Sequence, residues 1–240
     1  MRTKALAALA ASLLTLSVAL PAQAAVTIDS SNIGSAIIVD YNAFNTPDGI
    51  GGTLPGLTAQ GIFTLTAITG SQFRFSYAIA NTSGGATAAS RVAVFGFTTS
   101  PSVSSVTLFT PPGSVFTNIG INSNVPNLTG TDAGRVCFRA AGGGSQCGGG
   151  GGGGVGIGDP AATGNFVLGF APGTTSFNLD RFFVRYQSLE SDAYQAESAT
   201  GVGVVGGAVP EPATWMMMML GFGLIGGAMR RRQKVRVTYA

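Results

Sequence analysis

The chain contains no histidine, and between Ala25 and Val209 it also lacks lysine, methionine and tryptophan. Whole mechanisms go with them: imidazole activation of a serine or cysteine nucleophile, imidazole metal ligation, Schiff-base lysines and the phosphate-binding lysine of a P-loop. An enzyme made from this interval would have to work with carboxylates, tyrosine, arginine or its two cysteines. Charge is equally scarce, at 10% of 240 residues. The formal net charge of +3 misleads, because seven of the thirteen cations lie at the two ends: Arg2, Lys4, Arg230, Arg231, Arg232, Lys234 and Arg236. Between them stand six arginines against nine carboxylates, a net charge of −3. No basic patch remains to neutralise phosphates, so nucleic acid is not an expected partner, and neither a metal nor a cofactor is expected.

What is present begins with an export signal. Arg2 and Lys4 supply a positive start, Ala5 to Leu20 form an apolar run, and Ala22-Gln23-Ala24 has the small-x-small form of a cleavage site. Residues 1–24 are expected to be a signal peptide cut after Ala24. The alternative is an N-terminal membrane helix, but Pro21 ends the run where a peptidase would cut.

The following interval carries 33 glycines, so turns must be frequent. Its periodicity is that of strands. Phe73, Phe75, Tyr77 and Ile79 alternate with Arg74, Ser76, Ala78 and Ala80, while Val92 to Phe97 is apolar on both faces. Similar runs cover 35–41, 62–68, 103–109, 115–121, 134–139, 165–170 and 177–188, separated by clusters such as Pro111-Pro112-Gly113 and Ala171-Pro172-Gly173. No window offers an amphipathic helix. The expectation is an all-β domain over 25–188, a sandwich or jelly roll, with a glycine-rich loop at 142–158. Residues 189–208, ending in "GVGVVGGA", lose the alternation and read as a flexible stalk.

Cys137 and Cys147 flank part of that loop, and in an exported chain a minimal pair across a short, glycine-rich connection predicts a disulfide. A redox or metal pair is the rival, with neither C-x-x-C spacing nor histidine to support it. The glycines 148–154 lack a P-loop lysine, and "GGVGIGDP" has Gly158 where a calcium-binding nonapeptide repeat needs aspartate. Glu190, Asp192 and Glu197 could act as ligands or as an acid/base pair, or simply form a solvated surface.

From Ala213 to Met229 the tail has 17 uncharged, mainly apolar residues, about 25 Å as a helix and slightly short of a roughly 30 Å hydrocarbon core. The three arginines 230–232 can extend it by snorkelling, Trp215 suits an interface, and the basic residues 233–240 are expected to stay cytoplasmic. Gly221, Gly223, Gly226 and Gly227 would let another membrane helix approach closely.

The ordered set Pro210-Glu211-Pro212, Trp215, Gly221-Phe222-Gly223 and Arg230-Arg231-Arg232 resembles the PEP-CTERM sorting signal of Gram-negative bacteria. The resemblance spans about the last thirty residues, here bounded as 209–232. Met216 to Met219 is richer in methionine than the family pattern. The resemblance implies a transient inner-membrane anchor, recognition by an exosortase that supplies its own cysteine nucleophile, cleavage near Pro-Glu-Pro, and release or transfer to the cell surface. It also implies a link to exopolysaccharide and biofilm matrix. The cysteine pair, the glycine-rich segment and Phe182 to Ser188 look like the subgroup called the cistern family. The expected function is therefore a non-catalytic surface or matrix protein. The alternatives are a polysaccharide-binding module using Tyr41, Phe44 or Tyr186, and a glycoside hydrolase using Glu190 or Asp192.

Overall fold

The computed structural model describes residues 25–46, 52–140, 147–149, 152–206 and 221–222. The described chain is all-β: β1 Val26–Ile28, β2 Ala36–Phe44, β3 Ala59–Thr69, β4 Gln72–Asn81, β5 Thr87–Ser100, β6 Ser105–Phe109, β7 Phe116–Ile121, β8 Arg135–Ala140, β9 Val155–Gly156, β10 Ala162–Gly169, β11 Phe177–Ser191 and β12 Ser198–Val205. Alternation decides each face. In β4, Phe73, Phe75, Tyr77 and Ile79 are buried while Arg74 faces solvent, as the period of two demands.

All pairings are antiparallel and belong to one sheet, ordered β6-β10-β4-β3-β2-β12-β11-β5-β8-β7, with β1 added to β11 and β9 to β5. The two ends of this path, β6 and β7, come alongside each other, so the sheet rolls almost into a barrel. The expected β class is observed; a single rolled sheet replaces the two sheets of a sandwich or jelly roll. Rolling leaves few bare strand edges, which suits a domain with no lysine to guard them.

The interior is aromatic. Phe138 lies 4.6 Å from Phe166 and 4.8 Å from Phe95 between ring centroids, Phe63 meets Phe95, Phe97 and Phe182, and Phe73 meets Phe170 and Phe177. Such tilted and edge-on rings fill a wide roll efficiently. A second apolar cluster of Ala93, Val94, Val125, Leu128, Cys137, Cys147 and Phe183 lies on the other side of β5, β8 and β11, beneath the connections that flank β8.

Two expectations need correction here. Of the expected stalk 189–208, residues 189–206 belong to the sheet or its hairpin: β11 continues to Ser191, and β12 pairs with β11 on one side and β2 on the other, while 207–208 lie outside the described residues. The glycines in "GVGVV" are there because rings lie over them. A side chain at Gly203 would put its Cβ 2.7 Å from the Tyr41 ring, and one at Gly201 would meet the Asn42 carbonyl oxygen at 2.3 Å and the Tyr186 ring at 2.9 Å. Tyr41 and Gly203 are direct cross-strand partners, as are Phe183 with Gly96 and Tyr77 with Gly164. Each aromatic covers the surface its glycine leaves bare. The second correction follows from this. Tyr41, Phe44 and Tyr186, offered as surface aromatics for a glycan, are core residues, 1%, 5% and 0% exposed.

Candidate functional site

Three places on the described chain concentrate chemistry: the face covered by loops, a cleft beside β10, and the point where the chain leaves the sheet. On the covered face, Cys137 of β8 is bonded to Cys147, with Cα atoms 5.9 Å apart. Gly120 of β7 makes the room, since a Cβ there would lie 2.7 Å from the Cys137 sulfur. The expected disulfide is thus in place, and it clips the glycine-rich connection to the sheet. Replacing both cysteines by alanine is expected to cost about 2–3 kcal/mol in the chain-entropy model for so short a loop. Urea melts of the oxidised protein and the double variant would check this.

Arg185 of β11 holds the same connection by its polar end. Its Nε donates to the Gly148 carbonyl at 3.1 Å, Nη1 to Thr200 Oγ1 at 2.8 Å and Nη2 to Ser198 Oγ at 2.9 Å. Thr200 Oγ1 in turn donates to the Pro126 carbonyl, so one guanidinium joins β11, β12 and both loops. Burial brings the Arg185 pKa down to about 10, which still leaves it cationic at neutral pH. Substituting methionine would remove the donors and orphan buried acceptors, a loss expected to be about 2–4 kcal/mol; an Arg185→Lys chain reaching fewer partners should recover only part of it. Thermal melts of the two variants provide the comparison.

Two more arginines are buried on β8. Arg135 pairs with the Asp132 carboxylate and donates to the Ser123 carbonyl at 3.3 Å and the Thr131 carbonyl at 3.2 Å. Burial lowers its pKa, and the neighbouring Asp132 opposes that shift. Arg139 is 5% exposed, its Nε and Nη1 have no hydrogen-bond partner among the described residues, and burial lowers its pKa as well. The alternation of β8 gave no sign of these roles, because an arginine between apolar neighbours reads as an outward, solvated position. Only the loops packed above make the outward face an interior.

The cleft lies where β6 departs from β10 and crosses toward β7. It encloses about 440 Å³ and is lined by Pro111, Pro112, Val155, Asp159, Pro160 and Thr163 among others. Its carboxylate, Asp159, accepts from the Gly156 backbone N–H at 2.8 Å and so closes the turn after β9. Glycoside hydrolysis needs two carboxylates flanking one bond. Glu190, Asp192 and Glu197 do not line this cleft; all three are exposed in or beside the β11–β12 hairpin. Among the described residues no group of three metal-ligating side chains comes together.

The remaining sequence-derived positions fall at the two ends. Ala22 and Ala24 lie outside the described residues, as do Pro210, Glu211, Pro212, Trp215, Gly223, Arg230, Arg231 and Arg232. Gly221 and Phe222 are described, and Phe222 is 69% exposed. Among the described residues no helix is long and apolar enough to cross a membrane. The chain exit itself is well defined: Gly206 N–H donates to the Ile38 carbonyl at 2.8 Å, which pins the last described residue of the domain against β2.

Residues 208–233 match the family model of the PEP-CTERM protein-sorting motif. No curated protein and no solved structure matches the chain. The chain carries a PEP-CTERM sorting motif, which begins two residues after Gly206 and makes the protein an exported substrate of an exosortase.

Proposed function

We propose that this chain is a non-catalytic protein of the cell surface or extracellular matrix, held in the inner membrane by its tail until an exosortase cuts near Pro210-Glu211-Pro212. The observation that carries the reading is the position of the sorting motif, which begins within three residues of the last strand of a nearly closed β-domain. Proline disfavours helix at its own position and the residue before it, so the sequence Pro210-Glu211-Pro212 favours an extended segment of the kind a protease binds. The lack of histidine, and carboxylates spread over the surface instead of paired in the cleft, support a role without catalysis. Replacing Pro210, Glu211 and Pro212 by alanine is expected to leave full-length protein in the envelope fraction and abolish the shortened form outside. Wild-type protein that keeps its arginine-rich tail in an exosortase-containing cell would overturn the reading.

A specific observation favours exopolysaccharide as the material contacted. The outward side of β2, β3, β4, β10 and β6 carries an exposed to half-buried cross-strand row Ala36, Thr64, Ser76, Asn165 and Phe109. Its short, mostly uncharged hydroxyl and amide groups suit a polymer without net charge better than a charged partner. Sedimentation with the producing strain's own polysaccharide, compared between wild type and Ser76→Glu, would test it; binding unchanged by the substitution would exclude this face.

A further inference from the structure

The sorting tail leaves the domain from an apolar rim. Ile33, Ile38 and Val204 are 49%, 43% and 47% exposed, against a molecule whose other large apolar side chains are mostly buried. They gather by topology. Val205 pairs with Val39 and Gly206 bonds to Ile38, so the end of β12 lies beside the start of β2. Val204 and Ile38 both face outward and stand diagonal to each other, and Ile33 lies in the lead-in to β2, where Gly34 N–H donates to the Leu65 carbonyl at 2.8 Å. The charged groups near this rim are the carboxylates Asp40, held by Gln60 Nε2 at 2.9 Å, and Asp29, held by Ser31, and the guanidinium of Arg181, which lies on β11 beside the end of β12 and donates to the Thr129 carbonyl. Of the other exposed apolar side chains in the sheet region, Ile157 follows β9, whose partner Arg91 is level with Gln187 and Ser198 at the end of β12 away from the exit, while Phe109 and Ile121 stand on β6 and β7, several strands from β2 along the sheet.

The length of chain beyond the rim identifies what can cover it. Six residues separate Gly206 from Ala213, where the uncharged apolar run begins. Fully extended, they reach at most roughly 25 Å, less than the width of the domain they tether. A tail embedded in the bilayer therefore holds this rim next to lipid, and three exposed branched aliphatic side chains beside that attachment match the headgroup boundary. Two carboxylates and one arginine already bonded to a backbone carbonyl form no basic cluster to attract anionic headgroups, so a zwitterionic surface is the one this rim fits.

We propose that Ile33, Ile38 and Val204 form a membrane-resting rim, which seats the uncut domain on the lipid surface and presents the Pro-Glu-Pro segment to the exosortase in a fixed, short gap. This rests on the tail being a membrane anchor, as argued under the proposed function. Cutting the tail would remove the tether, and three aliphatic side chains alone would not retain the domain, so docking and release are coupled to one cleavage.

The test uses the full chain reconstituted in phosphatidylcholine and phosphatidylethanolamine vesicles with brominated acyl chains. The native Trp215, the only tryptophan, reports tail insertion. Val204→Trp and Ile157→Trp, each combined with Trp215→Phe, report the rim and the far end. The expected result is strong quenching of Trp215, and quenching at position 204 about threefold or more above that at 157. Equal quenching at 204 and 157 with Trp215 quenched would overturn the rim while leaving the anchor intact. An unquenched Trp215 would remove the anchor and the rim with it. Intact disulfide and a wild-type circular dichroism spectrum in each variant exclude misfolding as the cause.

Discussion

A chain ending at Glu197 is expected to lose its native fold, whereas one ending at Gly206 keeps it. Removal of nine residues that look like linker would take out β12, which lies inside the strand path between β11 and β2. Both neighbours would become unpaired edges. Buried Ala199 and Thr200 would be gone, and the rings of Tyr41 and Tyr186 would lose the glycines they cover. Arg185 would lose Thr200 and Ser198, leaving a buried guanidinium with the Gly148 carbonyl alone, and the Pro126 carbonyl would lose the Thr200 hydroxyl. Each of these losses is worth one to several kcal/mol, and a domain of this size is stable by only about 5–15 kcal/mol. Gly201→Val probes the same strand in the full-length domain. Its Cβ would stand 2.3 Å from a backbone oxygen that cannot move without breaking the ladder, so the loss should exceed about 4 kcal/mol. Far-ultraviolet circular dichroism and thermal melts decide both, and a cooperative melt of residues 25–197 close to that of 25–206 would contradict the placement of β12.

The second large effect is expected at Phe138. Its ring is fully buried and contacts Phe95 and Phe166 at 4.8 and 4.6 Å, with Phe97 and Tyr77 at 6.2 and 6.4 Å. Truncation to alanine leaves a cavity bounded by rings held on β4, β5 and β10, three strands locked by their own ladders and unable to close in. A loss of about 3–5 kcal/mol is expected. Phe138→Leu should recover a good part of it, because volume matters more than aromaticity at a centre with several ring neighbours. Chemical denaturation of the two variants measures the difference; a loss below about 1 kcal/mol for alanine would mean that Phe138 is not at the centre of the roll. The polar side of the same interior invites the opposite change. Tyr186 Oη is buried without a hydrogen-bond partner, and burial, reinforced by Tyr41 and Tyr194, raises the pKa of the phenol. Tyr186→Phe is therefore expected to be neutral or stabilising by about 1 kcal/mol, checked by the same melts.

The strands that could be read in advance are those with an uninterrupted period of two and sizeable side chains, such as β4 and β11. Their physics is local: one face needs burial, and the chain says which. β12 could not be read, since its inward positions 201 and 203 are glycines whose missing surface is supplied by tyrosines far away in sequence. The same cause misplaced Tyr41 and Tyr186 on the surface. An aromatic in a strand with polar neighbours has no local feature that distinguishes solvent from a cross-strand glycine. β9 was hidden within a glycine-rich segment for a similar reason, with Val155 buried beneath β5 while its flanks carry no pattern.

The site divides along the same line. An ordered tail of prolines, tryptophan, glycines and arginines is a linear signal, recognised as it is written, and needs no fold to be read. The absence of histidine from the chain, and of lysine between Ala25 and Val209, likewise limits the chemistry of the domain wherever the chain goes. The strand that finishes the sheet, the arginines enclosed on its outer face, and the shortness of the gap between domain and sorting motif were decided only by tertiary structure. These depend on which distant residues meet, and a side chain's environment is set by those neighbours and not by its place in the chain.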